Sequence, residues 1–332
     1  MTSQVPTYKE GEFQLRAKDG TSLFVRSFLP EREIKAVVQV MHGMAEHSAR
    51  YARLAAELTR AGYAVYADDH RGHGRTAPRR EDLGSFGDEG GWERVVGDEL
   101  SLLDEIKARH PGVPVFLLGH SMGSYIARSV AIRRGADLAG LIISGTSHDA
   151  PGAYRVGQGV AWFEQLRHGK RGTSALLRRL TFDRFNQTID APRTDFDWLS
   201  RDPAEVDRYI ADPLCGFECS TQLWRDVFQG MIEVCTPDQI AKMPHELPVY
   251  VIAGDADPMN NRLADIRKLQ RTFAAAGIAH VQVQIYPGGR HEMFNETNRD
   301  QVTRDLLAWL DAQLAEQVRE HAPAAPLDQA AP

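Results

Sequence analysis

The chain is short of several things, and each shortage removes a class of protein. Cysteine is scarce: Cys215, Cys219 and Cys235 are the three among 332 residues. An odd number, with one C-x-x-x-C spacing and neither a second pair nor clustered histidines beside it, argues against a disulfide framework and a zinc site. Free thiols in a reducing compartment are expected. A basic excess is missing as well, since 39 Lys+Arg stand against 45 Asp+Glu, for a net charge of −6 and a pI of about 6.1. Nucleic-acid binders usually carry the opposite footprint, so no nucleic-acid partner is expected. No apolar run approaches the ~20 residues of a membrane span. The opening MTSQVPTYKEGEFQ has no basic stretch followed by an apolar core, so no secretory leader is expected, and the expected location is the cytoplasm. There is no internal repeat, which sets aside repeat architectures. The composition is otherwise ordinary, 42% hydrophobic and 25% charged, in a length that suits one large domain or two smaller ones.

Against this plain background one stretch stands out, VPVFLLGHSMGSYIA at positions 113–127. It reads as a short apolar strand, then Gly119-His120-Ser121-Met122-Gly123, then a helix of small and apolar residues. Strand, G-x-S-x-G, helix is the pattern of a nucleophile elbow. The turn is sharp, and glycines two before and two after the serine let strand and helix come close. Ser121 is thereby expected at a helix N-terminus, where free N–H groups favour developing negative charge. A structural tight turn is the alternative for the motif alone.

Alternating segments surround it. Residues 12–16 and 23–29 read as strands joined through Lys18-Asp19-Gly20, a hairpin signal. Residues 36–41 and 63–67 are nearly unbroken apolar runs, as strands of a parallel sheet covered on both faces require. Ser48 is a plausible N-cap for a helix through about Arg60, and residues 92–110 read as a long amphipathic helix. Residues 138–144 read as the next buried strand. From 150 to about 245 helix-like segments continue without a convincing buried strand. Alternation then resumes with a strand at 248–253, a helix at 261–276, a strand at 280–286 and a final helix at 297–317. This predicts an α/β fold with a mostly parallel central sheet flanked by helices. Its core spans residues 1–149 and 246–317, a helical cap is inserted at 150–245 over the carboxyl ends of the strands, and a Pro/Ala-rich tail at 318–332 is expected to be disordered.

The reactive residues all follow strands. A serine hydroxyl needs a base, and the base needs an acid to fix its tautomer. Ser121, Asp257 and His291 supply the set, in the chain order Ser, Asp, His that α/β-hydrolases use. Asp255 also follows the strand at 248–253, so the residues alone leave two candidate acids. Oxyanion donors are expected from the backbone N–H of Met122 and from the loop His42-Gly43-Met44, with Met44 as the choice. Three other patterns carry less. His42 to His47 spells H-x-x-x-E-H, one residue too long for H-x-x-E-H, and Gly72-His73-Gly74 is out of register for a dinucleotide loop. The basic cluster Arg167, His168, Lys170, Arg171, Arg178 and Arg179, beside Trp162, Phe163, Leu166, Leu176 and Leu177, leaves open either a solvated helix face or transient contact of the cap with an anionic membrane surface.

With these residues in view, the sequence resembles the monoacylglycerol lipase and lysophospholipase branch of the α/β-hydrolases, the serine aminopeptidase S33-like hydrolases. The resemblance runs over residues 10–315 and rests on HGMAEHSARY (42–51), DDHRGHGRT (68–76), PVFLLGHSMG (114–123), DPLCGF (212–217), GDAD (254–257) and YPGGRHEMFNE (286–296). It implies an α/β-hydrolase fold and a triad of Ser121, Asp257 and His291, with the acid three residues after the glycine. It also implies an oxyanion hole from the Met44 and Met122 amides, and chemistry that calls for neither metal nor organic cofactor. The implied reaction is hydrolysis of carboxylic esters, with monoacylglycerols, lysophospholipids or short-chain esters as small-molecule substrates. A peptidase or amidase would use the same triad. A catalytically dead binding scaffold is disfavoured by the intact set. One departure is visible: Met44-Ala45 stands where the family often has small residues after HG, which bears on the acyl entrance.

Overall fold

The unbroken apolar runs become the middle of a sheet. The computed structural model describes residues 8–320, and its eight strands are β1 (Tyr8–Arg16), β2 (Ser22–Pro30), β3 (Ala36–Met41), β4 (Tyr63–Asp68), β5 (Val115–His120), β6 (Gly140–Ser144), β7 (Val249–Gly254) and β8 (Val281–Tyr286). Their order across the sheet is β1-β2-β4-β3-β5-β6-β7-β8. β1 with β2 and β2 with β4 pair antiparallel, and the rest pair parallel. Every residue of β3 to β7 is buried, as strands covered on both faces must be. β1 lies at one edge and alternates between half-buried and exposed along most of its length.

Eleven α-helices accompany the strands among the described residues: α1 (Ala52–Arg60), α2 (Gly91–Arg109), α3 (Met122–Arg134), α4 (Pro151–His168), α5 (Ala175–Leu180), α6 (Phe182–Asn186), α7 (Pro203–Ala211), α8 (Thr221–Cys235), α9 (Pro237–Ile240), α10 (Ala264–Ala275) and α11 (Arg299–Glu320). On one face Leu103 of α2, Ile126 of α3 and Phe273 of α10 pack in a single cluster with the sheet. On the other, Leu54 and Leu58 of α1 pack with Leu306 and Trp309 of α11. Both faces of the sheet are therefore covered, as the alternation predicts.

Residues 151–240 carry α4 to α9 and contribute no strand to the sheet. α8 sits so close to α2 that a Cβ on Gly230 would lie 2.0 Å from Trp92 Cε2. Arg128 of α3, 1% exposed, donates from Nη2 to the Val234 carbonyl at 2.5 Å.

Two sequence expectations need correction. Ser48 is not an N-cap. It lies inside a short 3₁₀ turn, Ser48–Tyr51, and its N–H and hydroxyl both donate to Asp69 Oδ1, at 2.8 and 2.5 Å. A carboxylate 21 residues away outcompetes the local capping bond. The expected tail begins too early, because α11 continues to Glu320; residues 321–332 lie outside the described residues.

Candidate active site

At the carboxyl end of β5 the backbone turns abruptly into α3. Ser121 sits at the turn with φ 53° and ψ −119°, a conformation that costs an L-residue on the order of 1–3 kcal/mol and persists only when its surroundings impose it. The surroundings are the two glycines. A Cβ on Gly119 would lie 2.3 Å from the Gly123 carbonyl oxygen, and one on Gly123 would lie 2.1 Å from the Met41 carbonyl oxygen. Strand, helix and neighbouring strand thus touch backbone to backbone. Ser121 N–H donates to the Ser144 carbonyl at 2.9 Å, which fixes the turn against β6.

The loop after β3 lies over the serine. A Cβ on Gly43 would approach Ser121 Cβ to 3.2 Å. The Gly43 N–H is already taken by Glu46 Oε1 at 2.5 Å. The amides of Met44 and Met122 have no acceptor among the described residues, so both remain available as donors. Ala45 follows at φ 55°, and its carbonyl accepts from Tyr209 OH at 3.0 Å and from the Gly216 amide at 2.9 Å.

Asp257 and His291 come from the loops after β7 and β8. Each is 2% exposed, and Asp257 Oδ2 lies 3.0 Å from His291 Nδ1. Burial pulls the imidazole's proton affinity down, but the charge and hydrogen bond of Asp257 overcome it and hold the His291 pKa above its ordinary value. The other carboxylate oxygen, Oδ1, accepts from the Met259 amide at 2.9 Å. Asp255 is exposed and accepts from the Gly288 amide at 2.6 Å, so the structure pairs Asp257 rather than Asp255 with the histidine. Ser121 Oγ donates to Met259 Sδ at 3.8 Å rather than to His291. His120, its ring 4.8 Å from that of His291, is pushed by burial down to about 4 and is neutral.

A buried charge cluster adjoins this group, and it escapes a sequence reading. Arg50 donates to Glu46 at 2.5 Å and to both carboxylate oxygens of Glu292 at 2.6 Å. Tyr51 OH donates to Glu46 Oε1 at 2.9 Å, and the guanidinium lies over the Tyr209 ring, 4.8 Å from its centre. Glu292 is 242 positions from Arg50, so spacing could not reveal the pair. The nearest signal is that Glu46 and Glu292 both lie inside the quoted motifs.

A cavity of about 200 Å³ opens beside the site, with Ala45, Phe182, Phe196, Trp198, Tyr209 and Trp224 among its walls. Ala45 follows the loop that covers Ser121, and the Trp198 ring lies 4.8 Å from that of His291. The cavity therefore adjoins both.

Among the described residues two groups offer metal-type ligands. Ligand atoms of His47, Asp212 and Cys215 lie within 4.8 Å of one another, and so do those of the buried Asp68, His70 and Glu99. The H-x-x-x-E-H residues do not converge: His42 accepts from the His70 amide at 3.0 Å, Glu46 serves Arg50, and His47 Nε2 meets Asp212 at 2.9 Å.

The chain is similar to known proteins along most of its length. The family described as serine aminopeptidase, S33, matches residues 32–298. A monoacylglycerol lipase of Mycolicibacterium smegmatis is 28% identical over 303 residues, covering 89% of this chain and 95% of its own. The human monoglyceride lipase is 28% identical over 299 residues, covering 90% and 89%. Among solved structures, a thermostable carboxyl esterase from Bacillus coagulans, in complex with glycerol, superposes with a TM-score of 0.84 at 32% identity, covering 92% of this chain and 99% of that one.

Proposed function

Because the chain belongs to the serine aminopeptidase S33 family of α/β-hydrolases, we propose that it hydrolyses carboxylic esters through an acyl-enzyme on Ser121. The observation that carries this is the buried Asp257–His291 pair, 3.0 Å apart, at the strand ends that also present the strained Ser121. In this reading Ser121 turns from Met259 toward His291, which takes its proton as the hydroxyl attacks the ester carbonyl. Asp257 holds the imidazole with its other nitrogen free and stabilises the imidazolium. The Met44 and Met122 amides receive the oxyanion, a contribution of on the order of 10²-fold each. His291 returns the proton to the leaving alcohol, then activates the water that releases the acid.

The charges around the site favour a neutral alcohol portion, as in a monoacylglycerol, over a phosphate-bearing one. Arg50 is held by Glu46 and Glu292. Arg178, at the cavity, is held by Asp183 and Glu218. Asp195 adds a further negative charge to the wall. Glu46 and Glu292 are held on Arg50 and cannot anchor a substrate amino group; Asp195, on the cavity wall, is the carboxylate that could, and an amino-acid p-nitroanilide tests it. The relatives named as monoacylglycerol lipases support the ester. The test is a ladder of p-nitrophenyl esters from acetate to palmitate, run beside a monoacylglycerol, a lysophospholipid and an amino-acid p-nitroanilide, with Ser121→Ala in parallel. Ester turnover is expected to vanish in the variant. Undiminished turnover there sinks the mechanism, and cleavage of the anilide alone moves the assignment to a peptidase.

The inserted helices 151–240 act in this reading as a cap over the cavity. α4 exposes Val156, Trp162, Phe163 and Leu166 to solvent, apolar side chains of the kind that mark interaction surfaces. Transient contact with a lipid surface belongs there, in a protein without a helix long and apolar enough to cross a membrane among the described residues. Replacing Trp162 and Phe163 by alanine should reduce co-flotation with vesicles while sparing turnover of soluble esters; equal flotation removes the contact.

A further inference from the structure

One residue touches both ends of the proposed catalytic set. Met259 donates its amide to the Asp257 carboxylate at 2.9 Å and offers its thioether to the Ser121 hydroxyl at 3.8 Å. Its place is fixed from behind. Asn260 is fully buried, donates to the Gly254 carbonyl at 2.7 Å and accepts from the Leu263 amide at 2.8 Å. Asn261, Arg262 and Leu263 follow with φ of 51°, 52° and 66°, three consecutive left-handed residues without a glycine. The loop thus holds the Met259 sulfur against the nucleophile. Met259 is only half-buried, so a small solute reaches it.

We infer that Met259 is an oxidative modification site that switches the enzyme off, an inference that rests on Ser121 being the nucleophile. The oxidant is a peroxide. The thioether sulfur attacks one peroxide oxygen, the O–O bond breaks, an S–O bond forms, and the departing hydroxide takes up a proton to leave as water. Sulfur is oxidised by two electrons and the peroxide is reduced by two. The sulfoxide is polar and its oxygen is a strong acceptor, where the thioether is a weak one. At this position it captures the Ser121 hydroxyl and keeps it from His291. The step is reversible by methionine sulfoxide reductases. Met44 and Met231 are half-buried as Met259 is, and the other described methionines are buried. Met41, Met122, Met243 and Met293 are each at most 2% exposed, and burial holds the Cys215 thiol well above its usual pKa, so that it stays protonated and unreactive. Met44 is the competing methionine at the site and serves as the control.

The experiment treats the full-length protein, Met259→Leu and Met44→Leu with hydrogen peroxide. It follows ester turnover, normalised to each protein's untreated rate, alongside peptide mass spectrometry. A separate, untreated portion of each protein is labelled with a fluorophosphonate probe to identify the nucleophile. The wild-type protein is expected to lose roughly 100-fold in kcat/KM, in step with the gain of one oxygen atom on Met259. Met259→Leu is expected to resist and Met44→Leu to inactivate like wild type. MsrA and MsrB together should restore activity. Equal inactivation of Met259→Leu, or full activity with Met259 oxidised, overturns the inference while the probe still reports Ser121. Failure of the probe to label Ser121 overturns the reading of the nucleophile, and this inference with it.

Discussion

In the proposed mechanism Asp257 sets the working pH of the site. Its charge holds the His291 proton above the ordinary histidine value of 6.5, and the imidazole must be neutral to act as base. Activity should therefore fall as pH drops through a midpoint above 6.5. In Asp257→Asn the charge is gone while burial remains, so the acid limb should move down, and kcat should fall roughly 10³–10⁴-fold because the tautomer is no longer held. A pH profile of kcat/KM for both proteins reads this directly; an unmoved limb would show that a different group titrates. At this scale much of the proposed site is legible in sequence, because Ser121, Asp257 and His291 each follow a strand and each sits in a local motif. The Glu46–Arg50–Glu292 cluster is not, since its third member comes from the far end of the chain. Nor is the Met259 contact, since a methionine two residues after an aspartate carries no local signal.

The elbow is an element whose sequence is dictated by backbone contact. Because a Cβ on Gly123 would meet the Met41 carbonyl oxygen at 2.1 Å, relief requires moving β3 or α3 rather than a side chain. Gly123→Ala should cost about 3 kcal/mol or more, read as a large fall in melting temperature or as loss of soluble protein. A melting temperature equal to that of wild type would show that the crossing has slack. The strands were legible for a related reason. Runs such as Ala36–Met41 are apolar at nearly every position because both faces are covered. Element ends were less legible. The helix expected from Asn261 starts at Ala264, because the left-handed run from Asn261 to Leu263 delays it, and no propensity foretells three such residues. Ser48 misleads for the opposite reason: its capping chemistry is real but is used on Asp69, a partner only the tertiary fold provides.

At the scale of the whole molecule, one proton-dependent contribution to stability comes from a buried cluster of Gln39, Asp68, His70 and Glu99. Gln39 donates to Glu99 Oε2 at 2.7 Å, and His70 Nδ1 lies 2.9 Å from Glu99 Oε1 and 3.2 Å from Asp68 Oδ2. Burial, with the Asp68 charge, pushes Glu99 up to about 8 from 4.5. His70 is pulled down by burial but raised overall by Asp68 and Glu99 above 6.5. The folded chain thus keeps protons that the unfolded chain releases, first from Glu99 above pH 4.5 and then from His70 above 6.5. This cluster's contribution to stability should be fully present below pH 4.5 and be lost as pH rises toward about 8, while the buried histidines His42, His120 and His148, held below 6.5, contribute in the opposite sense as pH falls. Glu99→Gln should lessen the decline of the melting temperature between about pH 6 and about pH 9 relative to wild type, leaving the share of His70, and a slope as steep as wild type would place the linkage elsewhere.

The helices at 151–240 leave the sheet from β6 and return to β7, and those two strands are hydrogen-bonded neighbours, Leu141 opposite Val249. The two pair parallel, so the excursion departs at the carboxyl end of β6 and arrives at the amino end of β7, one strand length away. Closing such a detour depends only weakly on its length, so this junction behaves as a socket. Descendants of the chain can lengthen, shorten or exchange the detour, and so change what reaches Ser121, while the register of every strand beneath stays as it is.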